Sequence, residues 1–196
     1  MELLIASNNK HKIEEIKAVL KGKFDKITTL AEEGIVCEPD ETGETFYENA
    51  LIKAQAVAGY CDKVILADDT GLCIKALNGR PGVHSARYAD EFSIEKKGHD
   101  DGANRRKVLT ELQGVADRTA YFQCVIVLLH PDGKVVIGEG KVDGYIIEDE
   151  KGVNGFGYDS IFYSTELNKT FAEATTAEKL TVSHRSRALH DLLSKI

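Results

Sequence analysis

The chain has 196 residues, 42% hydrophobic and 29% charged, which is the make-up of an ordinary globular protein of one domain, long enough to bury a core without staples. Lysine plus arginine number 25 against 32 for aspartate plus glutamate, and the balance of −7 speaks against a nucleic acid polymer as the main partner while leaving room for a small anion held by local cations. The cysteines, Cys37, Cys61, Cys73 and Cys124, lie far apart with no C-x-x-C pair, so they read as reduced core or near-core thiols rather than zinc or redox ligands. The apolar run at the start is too short for a signal peptide or a membrane span, which points to a cytoplasmic protein with no membrane partner.

Leu3 to Ala6 reads as a short strand, Ser7-Asn8-Asn9 as a polar turn, and Ile13, Ile16 and Leu20 as the apolar face of a helix. A strand near Lys26 to Leu30 leads into the acidic loop Glu38 to Glu44. Thr45 with Glu48 three residues on forms a capping box, opening a helix with Phe46, Ala50, Ala54 and Val57 on one face and Gly59 as its stop. The strand Val64 to Ala67 ends on Asp68-Asp69-Thr70-Gly71, followed by Gly71 to Leu77 and the turn-rich Asn78 to Gly82. Residues Glu95 to Gly102 look like a polar surface loop, and Val108, Leu109 and Leu112 mark a helix ending near Gly114. Thr119 to His130 is a strand, Pro131-Asp132-Gly133 turns it into a hairpin with Lys134 to Gly138, and Lys141 to Glu148 forms a third strand. A glycine-rich segment, Gly152 to Asp159, leads into the short strand Ser160 to Tyr163. The last helix, with Ser183 as N-cap, sets Leu189, Leu192, Leu193 and Ile196 on its apolar face. Strands and helices alternating around a hairpin predict an α/β fold with a mixed β-sheet and flanking helices, with residues 1–196 as a single domain.

The chemistry concentrates in a few places. Two adjacent carboxylates at the end of an apolar strand usually hold a cation, and since successive strand residues face opposite ways, Asp68 and Asp69 have separate jobs. One can face a metal while the other braces the turn; an Asp-Asp-Thr-Gly turn chosen for its backbone preferences is the alternative. Glu41 in the acidic loop is a candidate partner for Asp69 at Mg²⁺, which takes a few carboxylates plus phosphate oxygens and waters. Ser7, Asn8, Asn9, Lys10, His11 and Lys12 lie between a strand and a helix N-terminus, a place suited to phosphate, although the segment is neither a P-loop nor a dinucleotide fingerprint and also reads as a solvated first turn. Asn49 and Lys53 are four apart on one helix face, and Lys53 can reach a phosphate. Phe156, Gly157, Tyr158 and Asp159 combine rings and a carboxylate with glycines that admit a planar ligand, or anchor packing. Lys179, His184 and Arg185 gather donors near the last helix's start, suited to an anion or a carbonyl oxygen.

Taken in order, Ser7-Asn8-Asn9 with Lys12, E-T-G-x-T-F-x-E-N-A from Glu41 to Ala50 with Lys53, A-D-D-T-G-L from Ala67, P-G-V-H-S-A-R-Y from Pro81, G-F-G-Y-D from Gly155 and S-H-R from Ser183 span the whole chain. Together they resemble the inosine triphosphate pyrophosphatase family, the XTP/dITP diphosphatases that hydrolyse deaminated purine nucleoside triphosphates. The resemblance implies an elongated mixed sheet with two lobes around a nucleotide cleft, usually a homodimer, and Mg²⁺-dependent cleavage between the α- and β-phosphates to a monophosphate and pyrophosphate. It implies that Ser7 to Lys12 and Lys53 bind phosphates, that Glu41 and Asp69 serve the metal and the attacking water, with Asp69 as general base, and that Thr70 contacts substrate. Phe156 to Asp159, Lys179, His184 and Arg185 would then line the nucleotide pocket.

Thr70 stands where that family more often has serine, His84 where it has tyrosine, Ser160 where it has proline and Ser186 where it has glycine. None of these removes a charged catalytic group, and the changes at Ser160 and Ser186, close to the base pocket that the resemblance implies, bear on fine selectivity rather than on reaction type. Hypoxanthine and xanthine offer an acceptor at O6 and a donor at N1, whereas adenine reverses both, so Arg185 or a backbone N–H aimed at position 6 would disfavour adenine. A related septum-formation-type nucleotide pyrophosphatase with another base preference and a non-catalytic purine nucleotide sensor are the alternatives.

Overall fold

The structure is a computed structural model, and it describes residues 1–92 and 100–196. Its strands form a seven-stranded sheet in the order β2-β1-β3-β4-β5-β6-β7. The strands are β1 (Glu2–Ile5), β2 (Lys26–Thr29), β3 (Val64–Ile74), β4 (Thr119–Leu129), β5 (Val135–Ile146), β6 (Phe162–Ser164) and β7 (Lys169–Thr170). Strand β1 runs parallel to β2 and β3, with Leu3 opposite Ile27 and Val64, whereas β6 is antiparallel to β5 and β7. The sheet is therefore mixed, as the alternation of elements predicts. The chain divides into two compact units: residues 1–69, 124–140 and 184–196 form the first, and residues 70–123 and 141–183 the second.

In the first unit the period-two alternation of the strands sorts the core into two layers. Leu3, Ile5, Val64, Leu66, Cys124, Ile126 and Leu128 pack against α1 (Lys10–Leu20) and α5 (His184–Leu193) through Ile16, Leu20, Ala188, Leu189 and Leu192. Leu4, Ala6, Ile65, Ala67, Val127 and Leu129 pack against α2 (Phe46–Ala58) through Ala50, Ala54 and Val57. Both helix starts are capped: Asn9 accepts from the Lys12 N–H, and Thr45 with Glu48 forms the expected capping box, worth about 1 kcal/mol. In the second unit Leu72, Tyr88, Val108, Leu112, Phe122, Tyr158, Phe162 and Phe171 make the core, with α3 (Asp101–Glu111) and α4 (Thr176–Val182). The Phe122 and Phe162 rings meet at 4.7 Å.

Several boundaries differ from the sequence reading. β3 does not stop at Ala67; it continues through Asp68, Asp69, Thr70 and Gly71 to Ile74, because each aspartate finds cations on its own face and the strand can carry both charges inside. Lys134 to Gly138 and Lys141 to Glu148 are one strand, β5. Gly138 and Gly140 are not a break: a Cβ at either would lie 2.3 Å from Ala188 O or 2.1 Å from His184 O, so they let α5 approach the strand. β7 and α4 have no counterpart in the sequence reading. Ile196 lies past the end of α5 and is exposed rather than on the apolar face. Of the loop expected from Glu95 to Gly102, residues 95–99 lie outside the described residues, and Asp100 caps α3 by accepting from the Ala103 N–H.

Candidate active site

The layering of the first unit dictates where the two adjacent carboxylates go. Asp68 follows Val64 and Leu66 on the face covered by α1 and α5, and Asp69 follows Ile65 and Ala67 on the face covered by α2. On the first face Lys12 Nζ of α1 lies 3.0 Å from Asp68 Oδ2. Arg185 of α5, itself fully buried, donates from Nε and Nη2 to the same oxygen at 3.4 Å and from Nη1 to Glu15 of α1. Burial opposes the charge on Asp68, yet Lys12, Arg185 and Lys53 outweigh it and hold the carboxyl far below the usual carboxylate range. The same carboxylates outweigh burial at Arg185 and raise its pKa.

On the second face Lys53 Nζ of α2 lies 2.9 Å from Asp69 Oδ1 and 3.2 Å from Glu41 Oε1. Asn49, one turn earlier and fully buried, donates to Asp69 Oδ2 at 3.3 Å and accepts the Gly43 N–H at 2.8 Å, tying the acidic loop to the strand. Burial raises the pKa of Asp69, and the Lys53 and Lys12 cations undo this only in part. At Lys53 burial acts downward, but Asp69, Asp68 and Glu41 outweigh it and keep the ammonium protonated beyond its ordinary range. The segment before α1 is tied to the protein as well as open to solvent. Ser7 Oγ accepts from Asn9 N–H, and Asn8 donates to Cys37 O, each at 3.2 Å. Asn8, Asn9, Lys10 and His11 are exposed at the helix N-terminus, while Lys12 is half-buried.

Thr70 stands next to Asp69 in β3, half-buried and the first residue of the second unit. There Asp159 and Lys179 form an ion pair of 2.7 Å with both side chains buried. Asp159 also accepts the Phe156 N–H at 3.0 Å, and Lys179 Nζ sits 4.9 Å from the centre of the Phe156 ring. Gly155 has φ +76°, and a Cβ there would fall 2.0 Å from Asp159 Oδ2, so this turn requires glycine. Gly157 is clamped from α3: its N–H donates to Asp101 at 2.7 Å and its carbonyl accepts from Arg105 at 2.8 Å. Tyr158 is buried with its hydroxyl donating to Ser85 O at 2.7 Å, and burial raises its pKa well past the ordinary phenol range.

Within the first unit the structure therefore brings together Lys12, Glu41, Lys53, Asp69 and Arg185, and within the second Phe156 to Asp159 with Lys179. His184 is buried at the first position of α5. The sequence reading missed Glu15, Asp101 and Arg105 and gave Asn49 no role. Asp101 and Arg105 are four apart on one helix face, a readable signal; Glu15 meets Arg185 across 170 positions, and nothing local announces it. Arg185, expected to line the nucleotide pocket, has its guanidinium taken up by Asp68 and Glu15.

Two carboxylates held toward one cation are a donor set for a hard, oxygen-seeking divalent ion that fills its other positions with phosphate oxygens and water. Among the described residues no group of three or more His, Cys, Asp or Glu is arranged to hold a metal. Glu41 and Asp69 supply oxygen donors of the kind such an ion would take. Among the described residues no helix is long and apolar enough to cross a membrane.

The sequence model of the Ham1 family matches residues 3–195. A dITP/XTP pyrophosphatase of Leuconostoc mesenteroides is 49% identical, covering 100% of this chain and 96% of its own. One of Bacillus subtilis is 46% identical over 97% of this chain and 94% of its own. Among solved structures, a HAM1 protein from Coxiella burnetii superposes with a TM-score of 0.86 at 38% identity, covering 100% of both chains.

Proposed function

The chain belongs to the Ham1 family, and from that premise we propose that it hydrolyses deaminated purine nucleoside triphosphates, ITP, dITP and XTP, to the nucleoside monophosphate and pyrophosphate, clearing them from the cytoplasmic nucleotide pool. The observation that carries the reading is the pair of adjacent carboxylates on opposite faces of β3, each met by a lysine from its own helix. Phosphoryl transfer asks the protein mainly for positioning and charge, with no covalent nucleophile, and this arrangement offers both.

In this reading Lys12 and Lys53 bind the phosphates, Lys12 fixed by Asp68 and Lys53 by Asp69 and Glu41. The Ser7 to His11 segment, exposed from Asn8 onward, adds polar groups and a helix N-terminus. Glu41 and Asp69 would hold Mg²⁺, which when bound supplies neutralising charge at the triphosphate and a more acidic water. Asp69 takes the proton of the attacking water at a carboxylate oxygen, and the burial that raises its pKa suits it to that task. Thr70 offers its hydroxyl to the substrate beside Asp69. Phe156 stacks on the base, Asp159, Lys179 and His184 present its polar partners, and Gly157 and Tyr158 set the backbone that carries them. Arg185 acts through Asp68 as a positioning residue. The whole chain works as one pyrophosphatase domain and pairs as a homodimer.

The test is pyrophosphate release with Mg²⁺ over ITP, XTP, dITP, GTP, ATP and dTTP. Turnover of the deaminated purines well above ATP and dTTP is expected. Preference for a pyrimidine would move the chain to the septum-formation type, and binding without turnover would make it a nucleotide sensor.

A further inference from the structure

Glu41 and Asp69 already face one cation, the Lys53 ammonium, at 3.2 Å and 2.9 Å. Helix α2 holds all parties to that contact: Asn49 fixes both the Gly43 backbone and Asp69, and Lys53 projects from the same face one turn later. The fit is close, since a Cβ on Gly43 would come 2.8 Å from Asn49 Oδ1 and 2.6 Å from Glu48 Cβ. Lys12 stands on the opposite face of β3 against Asp68, so the ammonium in contact with Glu41 and Asp69 is that of Lys53. A lysine is a point charge on a flexible stem, so its ammonium can leave one anion for another without moving the helix.

We propose that Lys53 is a resident counter-cation of the metal site, neutralising Glu41 and Asp69 until a divalent metal displaces its ammonium and frees it for the triphosphate. This rests on the assignment of Glu41 and Asp69 as metal ligands. A divalent ion and an ammonium cannot both sit between one pair of carboxylates without strong repulsion. Metal alone must therefore compete with Lys53 and binds weakly. An anionic triphosphate draws Lys53 away, exposes the carboxylates and so tightens the metal; by linkage the metal tightens the nucleotide to the same degree.

The test titrates Mn²⁺ alone into the nucleotide-free protein and follows free Mn²⁺ by electron paramagnetic resonance. Lys53→Gln should bind Mn²⁺ about 10-fold more tightly than wild type, and Lys53→Arg, which keeps the charge, should not. Equal or weaker binding by Lys53→Gln overturns the proposal, as does equal tightening by both variants. Asp69→Asn and Glu41→Gln placed in the Lys53→Gln background separate the two readings. If either abolishes the Mn²⁺ binding, the ligand assignment stands and only the behaviour of Lys53 is under test; if Mn²⁺ binding survives both, the assignment falls and takes the proposal with it. Should Lys53→Gln fail to fold, the ¹³Cε resonance of Lys53 in the wild type decides: it should shift as Mg²⁺ saturates the protein, and an unmoved resonance overturns the exchange.

Discussion

In the second unit Asp159 and Lys179 meet at 2.7 Å with side chains 5% and 8% exposed, and aromatic rings cover the ammonium. In the first unit Lys12 and Lys53 face Asp68, Asp69 and Glu41 at 2.9 to 3.2 Å, yet Lys12, Lys53 and Glu41 keep 16, 14 and 26% exposure. The closed pair is a fixture: separating it would strand a charge with no solvent to receive it. The open network is exchangeable, because its lysines can turn to an incoming anion while solvent or another cation neutralises the carboxylates left behind. Under the proposed function a highly charged substrate would call for the second kind, and a turn presenting a ring to a base would call for the first.

The largest effect should come from breaking the closed pair. Lys179→Met removes from buried Asp159 the ammonium it meets at 2.7 Å and should lower unfolding stability by about 3–5 kcal/mol in urea titrations. Lys53→Met should lose far less stability, since Asp69 keeps Asn49 and burial already favours its neutral form, while pyrophosphate release collapses. Equal stability losses would erase the distinction between fixture and exchangeable network.

The two neighbours on β3 sharpen the comparison within one strand. Asp69→Asn should lower kcat by about 10²-fold or more with little change in nucleotide binding, if Asp69 acts mainly in the transition state. The pH dependence of stability should have opposite signs at the two sites. Asp68 is held below its unfolded pKa of about 3.9, so its contribution is present above that pH and is lost as pH falls through the acid range. Asp69 is raised, so its contribution is full below about pH 3.9 and is lost as pH rises through its folded value. Melting temperatures from pH 2 to 8 should then show Asp68→Asn flattening the acid fall and Asp69→Asn removing a loss on the other side. The same change in both variants would mean that the two carboxylates share one environment.

Much of this was legible in the sequence because it is local. The Thr45 capping box, the Asn49–Lys53 spacing and the period-two rule for Asp68 and Asp69 each follow from a few adjacent residues. What escaped is non-local or short. The turn-like letters of Asp68 to Gly71 hid a continuous strand, since the cations that let it continue come from positions 12, 53 and 185. Thr175 and Glu178 spell a second capping box, but α4 is only seven residues long and β7 two, too short for a period to show. Gly138 and Gly140 look like punctuation unless α5 is known to lie against them.

The smallest effect tests the aromatic side of the closed pair. Phe156 contributes its N–H to Asp159 and its ring to Lys179, and only the ring is lost in Phe156→Ala, so the turn and the ion pair should survive. Stacking on a base is worth about 1–3 kcal/mol and tolerates any base, because each has a π-face. The variant should therefore lose about 10-fold in kcat/KM for ITP and ATP alike, leaving their ratio unchanged. Arg185→Ala gives the control for how a buried positioning residue behaves: its guanidinium is held by Asp68 and Glu15, so its loss should also be uniform, but accompanied by a fall in melting temperature that Phe156→Ala does not share. A base-selective loss in Phe156→Ala would show that the ring orients the base edge as well as stacking on it, and unchanged kinetics would remove Phe156 from the nucleotide site and leave its ring as packing for Lys179.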